Sequence, residues 1–230
     1  MPPRALTAIM EVEADLIPDW AAERRGMVDT QLRPRGIRDP RVLAAMGEIP
    51  REEFVPPELR LMSYQDDPVP LGHGQTISQP YMTALMAQEL ELTGTETVLE
   101  VGAGSGYAAA VLGALARSVI SIDIVPAMAQ LARENLRRTA RGWNVTVLDG
   151  DGSLGCAELA PFDAISVAAA APDIPAALLE QLRDPGRLVI PVGSRDNQEL
   201  RVLRKLGGRV ELRVSTLCRF VPLRGGEGWS

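Results

Sequence analysis

Val98-Leu99-Glu100-Val101-Gly102-Ala103-Gly104-Ser105-Gly106 is a short apolar run carrying one acid, then three glycines at alternate positions. Tyr107-Ala-Ala-Ala-Val-Leu-Gly-Ala-Leu115 follows and reads as a helix. A glycine-rich turn between a strand and a helix lets a ligand approach bare backbone, where the amides of the helix N-terminus can receive its polar groups. The turn therefore predicts an α/β fold with a nucleotide-type cofactor site at the end of its first strand.

The spacing argues about which nucleotide. A dinucleotide fingerprint has the form G-x-G-x-x-G; here the third glycine, Gly106, comes one position early. Glu100, two residues before Gly102, would set a carboxylate against a pyrophosphate in a partly desolvated pocket. Downstream, Ser118-Val-Ile-Ser-Ile-Asp123 reads as a second buried strand ending in an acid, about 20 residues past the first glycine, where a ribose-binding carboxylate is expected. A nucleoside with a cationic tail and no phosphates suits both acids. Val145-Thr-Val-Leu148 reads as a third strand, followed by Asp149-Gly150-Asp151-Gly152. Acids and glycines at successive strand ends mark the ligand-binding edge of a parallel sheet.

Composition bounds the alternatives. The chain has 230 residues, of which 46% are hydrophobic, enough for one large core. A net charge of -6 with scattered basic residues offers no footprint for nucleic acid or an anionic membrane. The opening Met1-Pro-Pro-Arg-Ala-Leu-Thr-Ala-Ile-Met-Glu11 lacks the apolar core of a signal peptide, and no stretch approaches a membrane span. A soluble, cytoplasmic protein is expected, a monomer by default. Cys156 and Cys218 read as buried reduced thiols, and with a single histidine no metal site is expected.

Residues 5–47 read as helical segments broken at Pro18, around Arg33-Pro34-Arg35-Gly36 and at Pro40, with Asp39 capping a helix through Met46. Residues 50–80 are rich in proline and glycine and poor in periodicity. From residue 97, strands alternate with helices, including a helix over Pro126–Arg138, a strand over Phe162–Val167, a helix over Ile174–Leu182 and a strand over Gly186–Val192. Gln198–Arg204 and Val210–Val221 flank Gly207-Gly208, a hairpin signal that adds antiparallel strands. The division expected is an accessory segment over 1–80 packed on a Rossmann-like core over 81–230.

Several strings together resemble the protein-L-isoaspartate (D-aspartate) O-methyltransferase family. They are Gly72-His-Gly-Gln-Thr-Ile-Ser-Gln-Pro80, the glycine turn with Tyr107, Gly150-Asp-Gly152, Ala169-Ala-Ala-Pro172, Gly186-Arg-Leu-Val-Ile-Pro-Val-Gly193 and Phe220-Val-Pro-Leu223. The resemblance runs from about residue 24 to 229. The glycine strand alone indicates only the broad class of S-adenosylmethionine-dependent methyltransferases; the Gln-Thr-Ile-Ser-Gln-Pro string carries the family.

The resemblance implies a Rossmann-like class I fold, a mostly parallel sheet with helices on both faces and an antiparallel C-terminal hairpin. It implies methyl transfer from S-adenosylmethionine, leaving S-adenosylhomocysteine, to the free α-carboxylate of isoaspartyl residues in proteins and peptides, with repair through a succinimide. Gly102, Gly104 and Gly106 would pass under the methionine moiety, Glu100 would order its amino group, Asp123 would accept from the ribose hydroxyls, and Asp151 and Gly152 would border the adenine. Ser78 would be the active-site residue, a hydroxyl that orients the acceptor rather than a nucleophile. Gln75, Thr76, Ile77, Ala169, Ala170, Pro172, Val221, Pro222 and Leu223 would shape the peptide groove. His73 reads as a hydrogen-bonding loop residue, because a carboxylate acceptor is already ionised at neutral pH and needs no strong base. Asp67, where a basic or neutral residue is common, and Ala168, where threonine or glycine is frequent, depart mildly from the family pattern. The alternatives are a methyltransferase dedicated to one aspartyl peptide, and a nicotinamide-dependent oxidoreductase on the same sheet.

Overall fold

The structure is a computed structural model that describes residues 18–229. The opening residues read above against a signal peptide, and the start of the expected 5–47 helical region, lie outside the described residues. Asp19 accepts from the amides of Ala21 and Ala22 and starts helix α1 (Trp20–Gly26), which runs on through a wide turn at Met27–Leu32 and stops at the left-handed Gly36. The Asp39 cap is as expected: its carboxylate takes the amides of Arg41 and Val42, and Pro40 opens α2 (Pro40–Glu48).

The stretch over 50–80 is more ordered than its composition suggests. Short 3-10 turns at Arg51–Phe54 and Pro57–Met62 lead into a hairpin of β1 (Val69–Gly72) and β2 (Gln75–Ile77), turned at Gly72, His73 and Gly74, all with positive φ. Helix α3 (Pro80–Glu89) follows. It is buried around most of its circumference, so it lacks the amphipathic stripe by which a helix is usually read from sequence.

The core is a seven-stranded sheet in the order β5-β4-β3-β6-β7-β8-β9. Strands β3 (Thr97–Val101), β4 (Ser118–Asp123), β5 (Val145–Asp149), β6 (Phe162–Val167) and β7 (Leu182–Gly193) run parallel. The antiparallel β8 (Gln198–Leu206) and β9 (Arg209–Cys218) complete the sheet. Helices α4 (Tyr107–Leu115), α5 (Pro126–Arg138) and α6 (Ala176–Gln181) are the crossovers. Two expectations need correction. The helix expected over 174–182 is confined to Ala176–Gln181, and the last strand ends at Cys218, so Val221 lies beyond the sheet.

Alternate strand residues bury on opposite faces, as a sheet covered on both sides requires. Val98, Val119 and Val189 join α2, α3 and α4 in one cluster; Leu99, Ile122, Ile165 and Leu188 pack with Leu178 of α6 in the other. The first cluster reaches back to Met27, Phe54 and Tyr64, so the N-terminal turns rest directly on the sheet helices. Arg51 is a clear instance: fully buried, it donates to the carbonyls of Ser63 (2.7 Å) and Ser78 (2.8 Å), and its guanidinium lies 4.9 Å from the Tyr107 ring centroid. Cys156 and Cys218 are free thiols but only half-buried, less enclosed than their apolar neighbours suggest.

Candidate active site

Parallel pairing brings the C-terminal ends of β3, β4, β5 and β6 to one edge, with Val101 opposite both Ile122 and Val167, and Asp123 opposite Asp149. The glycine turn begins there. Gly102, Gly104 and Gly106 have φ of +95°, +53° and +84°, a left-handed alternation open to glycine at little cost. Gly102 and Gly104 line a cavity at this edge. Gly106 does not; a side chain on it would press to within 3.1–3.2 Å of the Ala132 backbone, so it serves the close packing of α4 on α5.

Asp123, only 7% exposed, ties the turn to β4: it accepts from the amides of Gly104 (2.9 Å) and Val125 (2.9 Å). A carboxylate oxygen has two acceptor sites, so each oxygen keeps one for a ligand hydroxyl. Glu100 is 1% exposed, accepts from the Ser121 hydroxyl through Oε2, and leaves Oε1 buried without a partner. Burial pushes its carboxyl up to about 8, opposed by the Ser121 hydrogen bond and reinforced by the nearby Asp123 charge. It lines a small inner cavity shared with Ser78, Thr83 and Ala168. An orphaned, desolvated carboxylate beside a glycine turn is suited to a cationic group. A pyrophosphate there would add like charge, which removes the footing of the nicotinamide alternative.

Asp151 does not line the main cavity, although Gly152 does. Its carboxylate accepts from the amide and hydroxyl of Ser153 and from the amide of Gly226 at 2.7 Å. Against the desolvation of its partial burial, these hydrogen bonds hold the carboxyl below the usual range. Asp151 thus anchors the C-terminal tail over the strand ends, where Trp229 Nε1 donates to the Ala170 carbonyl at 3.0 Å.

Gln75, Thr76, Ile77 and Ser78 form one wall of the main cavity, and Ala168, Ala169 and Val221–Leu223 another. Ala170 and Pro172 stand outside it. Both Ala170 backbone groups are taken, its amide by Val221 O and its carbonyl by the Leu223 amide, so Ala170 holds the 221–223 wall in place. Ser78 borders three adjoining spaces: the main cavity, the inner one with Glu100, and an outer groove with Gln79, Arg219 and Val221. His73, at the exposed hairpin tip, borders none of these three spaces.

Sequence reasoning missed Arg51, Thr83 and Arg224. Arg51 holds the Ser78 carbonyl, and the other two line the cavity. Arg51 falls in the 50–80 stretch that lacks periodicity, and only the tertiary fold shows it to be buried.

The parallel sheet with its antiparallel end, the glycine turn and the acids at two strand ends define a class I, Rossmann-like S-adenosylmethionine-dependent methyltransferase. A family model described as protein-L-isoaspartate(D-aspartate) O-methyltransferase matches residues 23–228, and the chain belongs to that family. It is 55% identical to protein-L-isoaspartate O-methyltransferase 2 of Marinobacter nauticus, over 92% of this chain and 97% of that protein. It is 52% identical to the protein-L-isoaspartate O-methyltransferase of Koribacter versatilis, over 92% and 95%. Among solved structures it superposes with a TM-score of 0.76 and 27% identity on a putative Plasmodium falciparum member in complex with S-adenosyl-L-homocysteine, over 87% of this chain and 98% of that one. A protein-L-isoaspartate O-methyltransferase structure also matches at TM-score 0.76 and 28% identity; the match covers 89% of this chain and 66% of that one.

Proposed function

We propose that the chain carries out its family's reaction through the residues gathered at the strand ends: transfer of a methyl group from S-adenosylmethionine to the free α-carboxylate of L-isoaspartyl and D-aspartyl residues. The observation that carries this reading is the position of Ser78, whose walls face the donor cavity on one side and the outer groove on the other.

S-adenosylmethionine supplies a methyl group on a cationic sulfur. The glycines Gly102 and Gly104 bring backbone close to the methionine portion, Glu100 draws its ammonium, Asp123 takes the ribose hydroxyls, and Gly152 borders the adenine. Gly106 and Asp151 shape the site from behind, through the packing of α4 and the anchored tail. The Ser78 hydroxyl donates to one oxygen of the acceptor carboxylate and aims the other at the methyl carbon. Since the acceptor is already anionic, alignment and exclusion of water carry the catalysis. The reaction joins an anion to a cationic donor and leaves neutral products, so the apolar walls at Ile77, Val101, Ala168 and Leu223 disfavour the charged pair more than its products. The neighbouring backbone amide nitrogen can then attack the methyl ester and expel methanol to form a succinimide, which water opens in part to the normal linkage.

Thr76 and Val221 border the outer groove with Ser78, while Gln75, Ile77, Ala169, Pro222 and Leu223 line the main cavity next to it; together they shape the passage by which the acceptor reaches the methyl group. The accessory segment that ends near residue 80 carries the Gln75–Ser78 loop, and the Rossmann-like core after it carries the glycine turn together with the 168–169 and 221–224 walls. We place the activity in the cytoplasm, on damaged proteins and peptides; the free thiols at Cys156 and Cys218 suit a reducing compartment. No helix among the described residues is long and apolar enough to cross a membrane. The experiment that tests the reading is transfer of labelled methyl to a peptide bearing isoaspartate and to its normal aspartyl twin.

A further inference from the structure

The outer groove beside Ser78 continues into a wider hollow that shares Pro68, Thr76, Gln79, Met82 and Arg219 with it. In a chain of net charge -6, the charge of this passage is unusual: no carboxylate lines either space, and the two charged residues that do are Arg35 and Arg219.

The two arginines are not equivalent. Arg35 is already occupied, since its guanidinium pairs with Asp66 and lies 3.4 Å from the centroid of the Tyr81 ring. Arg219 is exposed, and among the described residues its guanidinium makes no ion pair. The acids near the groove do not supply one. Asp66 is taken by Arg35 and by the Tyr81 amide, Glu199, the β8 partner of Leu217, pairs with Arg201, and Asp67 lines neither space. The backbone that carries Arg219 is fixed. The side chain of the buried Gln198 accepts from the Phe220 amide at 2.6 Å and donates to the Phe220 carbonyl at 3.2 Å, and the Val221 carbonyl accepts from the Ala170 amide. A free cation on an anchored base thus stands in a groove without acids.

Arg219 borders the groove but not the donor cavity. An acceptor carboxylate has to enter that cavity to meet the methyl carbon, so the arginine meets the part of the peptide left outside. The groove reaches Ser78 itself, and residues of an extended peptide advance ~3.3–3.6 Å each, which sets the neighbours of the reacting residue against Arg219. We propose that Arg219 is a specificity residue that reads an Asp or Glu side chain within two positions of the isomerised residue in the acceptor peptide. A guanidinium takes a carboxylate through paired N–H donors, and a lone positive charge in the groove repels a lysine at the same place. The inference rests on the acceptor site proposed at Ser78 and adds the class of peptide which that site prefers.

Three isoaspartyl peptides that differ only in carrying Glu, Gln or Lys on both sides of the isoaspartate test it by labelled-methyl transfer. For the wild-type protein at low salt, kcat/KM should fall in the order Glu, Gln, Lys, with about three- to tenfold between the ends and the difference lying in KM. The spread should shrink in about 0.5 M salt, because the groove is open to solvent. Arg219→Gln should bring the three peptides within about twofold of one another, and Arg219→Lys should keep the order. S-adenosylmethionine binding at wild-type strength shows that each variant is folded. Equal kcat/KM for the three peptides in the wild type overturns the proposal, as does an unchanged spread in Arg219→Gln. Methylation of none of them counts first against the Ser78 reading, and the proposal falls with it.

Discussion

Glu100 carries the most instructive conflict at the level of single residues. A fully buried carboxylate with one oxygen unpartnered is costly in its ionised form, and burial raises its carboxyl to about 8. A raised acid pKa means that the free protein binds more protons than the unfolded chain between its ordinary value and about 8, so its stability should fall as pH rises through that window. A cationic ligand favours the ionised form, so S-adenosylmethionine should bind more tightly as pH rises from 6 towards 8 (about one to two units around neutrality). Calorimetric titration across that range checks the trend, and Glu100→Gln should flatten it while weakening binding; an equally steep dependence in the variant would assign the proton elsewhere. Asp123→Ala removes the acceptor of two backbone amides and of the ribose, and the dissociation constant should rise about ten- to a hundredfold. Ser78→Ala should leave that constant nearly unchanged and lower kcat about ten- to a hundredfold. The reverse pattern for these two variants, read by titration and steady-state kinetics, would exchange donor and acceptor roles. Glu100, Gly102 and Gly104 stand out in the sequence because a glycine-rich turn at a strand end has few other uses, and Asp123 because it closes the next apolar strand. Arg51 does not stand out, because burial of an arginine depends on distant carbonyls that no local pattern announces.

Among the elements, the close approach of β3 to the turn after β5 has the sharpest steric content. A side chain on Gly152 would come within 2.5 Å of Val101 Cγ1, on the strand that carries the glycine turn. Gly152→Ala should destabilise the protein by about 1–3 kcal/mol, read as a lower midpoint in thermal or denaturant unfolding. Val101→Ala should recover part of the loss when combined with it, since it removes the opposing methyl. Additive losses in the double variant would show that the two positions do not press on each other. The α5 boundaries at Pro126 and Arg138 and the α4 boundaries at Tyr107 and Leu115 agreed with their sequence signals because proline, glycine and apolar spacing coincide there. Helix α3 escaped notice because burial on most sides erases amphipathicity, and the chain after Cys218 left the sheet because the Ala170 backbone holds Val221 and Leu223 elsewhere.

Across the whole molecule, the donor and acceptor halves come from different stretches of chain and meet only through tertiary packing. The glycine turn, the end of β4 and the turn after β5 line the main cavity from one side, and the 75–78 loop, Ala168, Ala169 and the 221–224 segment line it from the other. Arg51 links them, holding the Ser78 carbonyl on one side and stacking near Tyr107, the first residue of α4, on the other. The parallel sheet was readable from alternating strand and helix patterns, whereas this docking of the N-terminal turns was not, because it rests on long-range contacts. The two halves meet to methylate an isomerised aspartate. The most direct measurement incubates the purified protein with methyl-labelled S-adenosylmethionine and two peptides that differ only in the linkage of one aspartyl residue. Base-labile label on the isoaspartyl peptide alone is the predicted result; equal labelling of both peptides, or of neither, would contradict it.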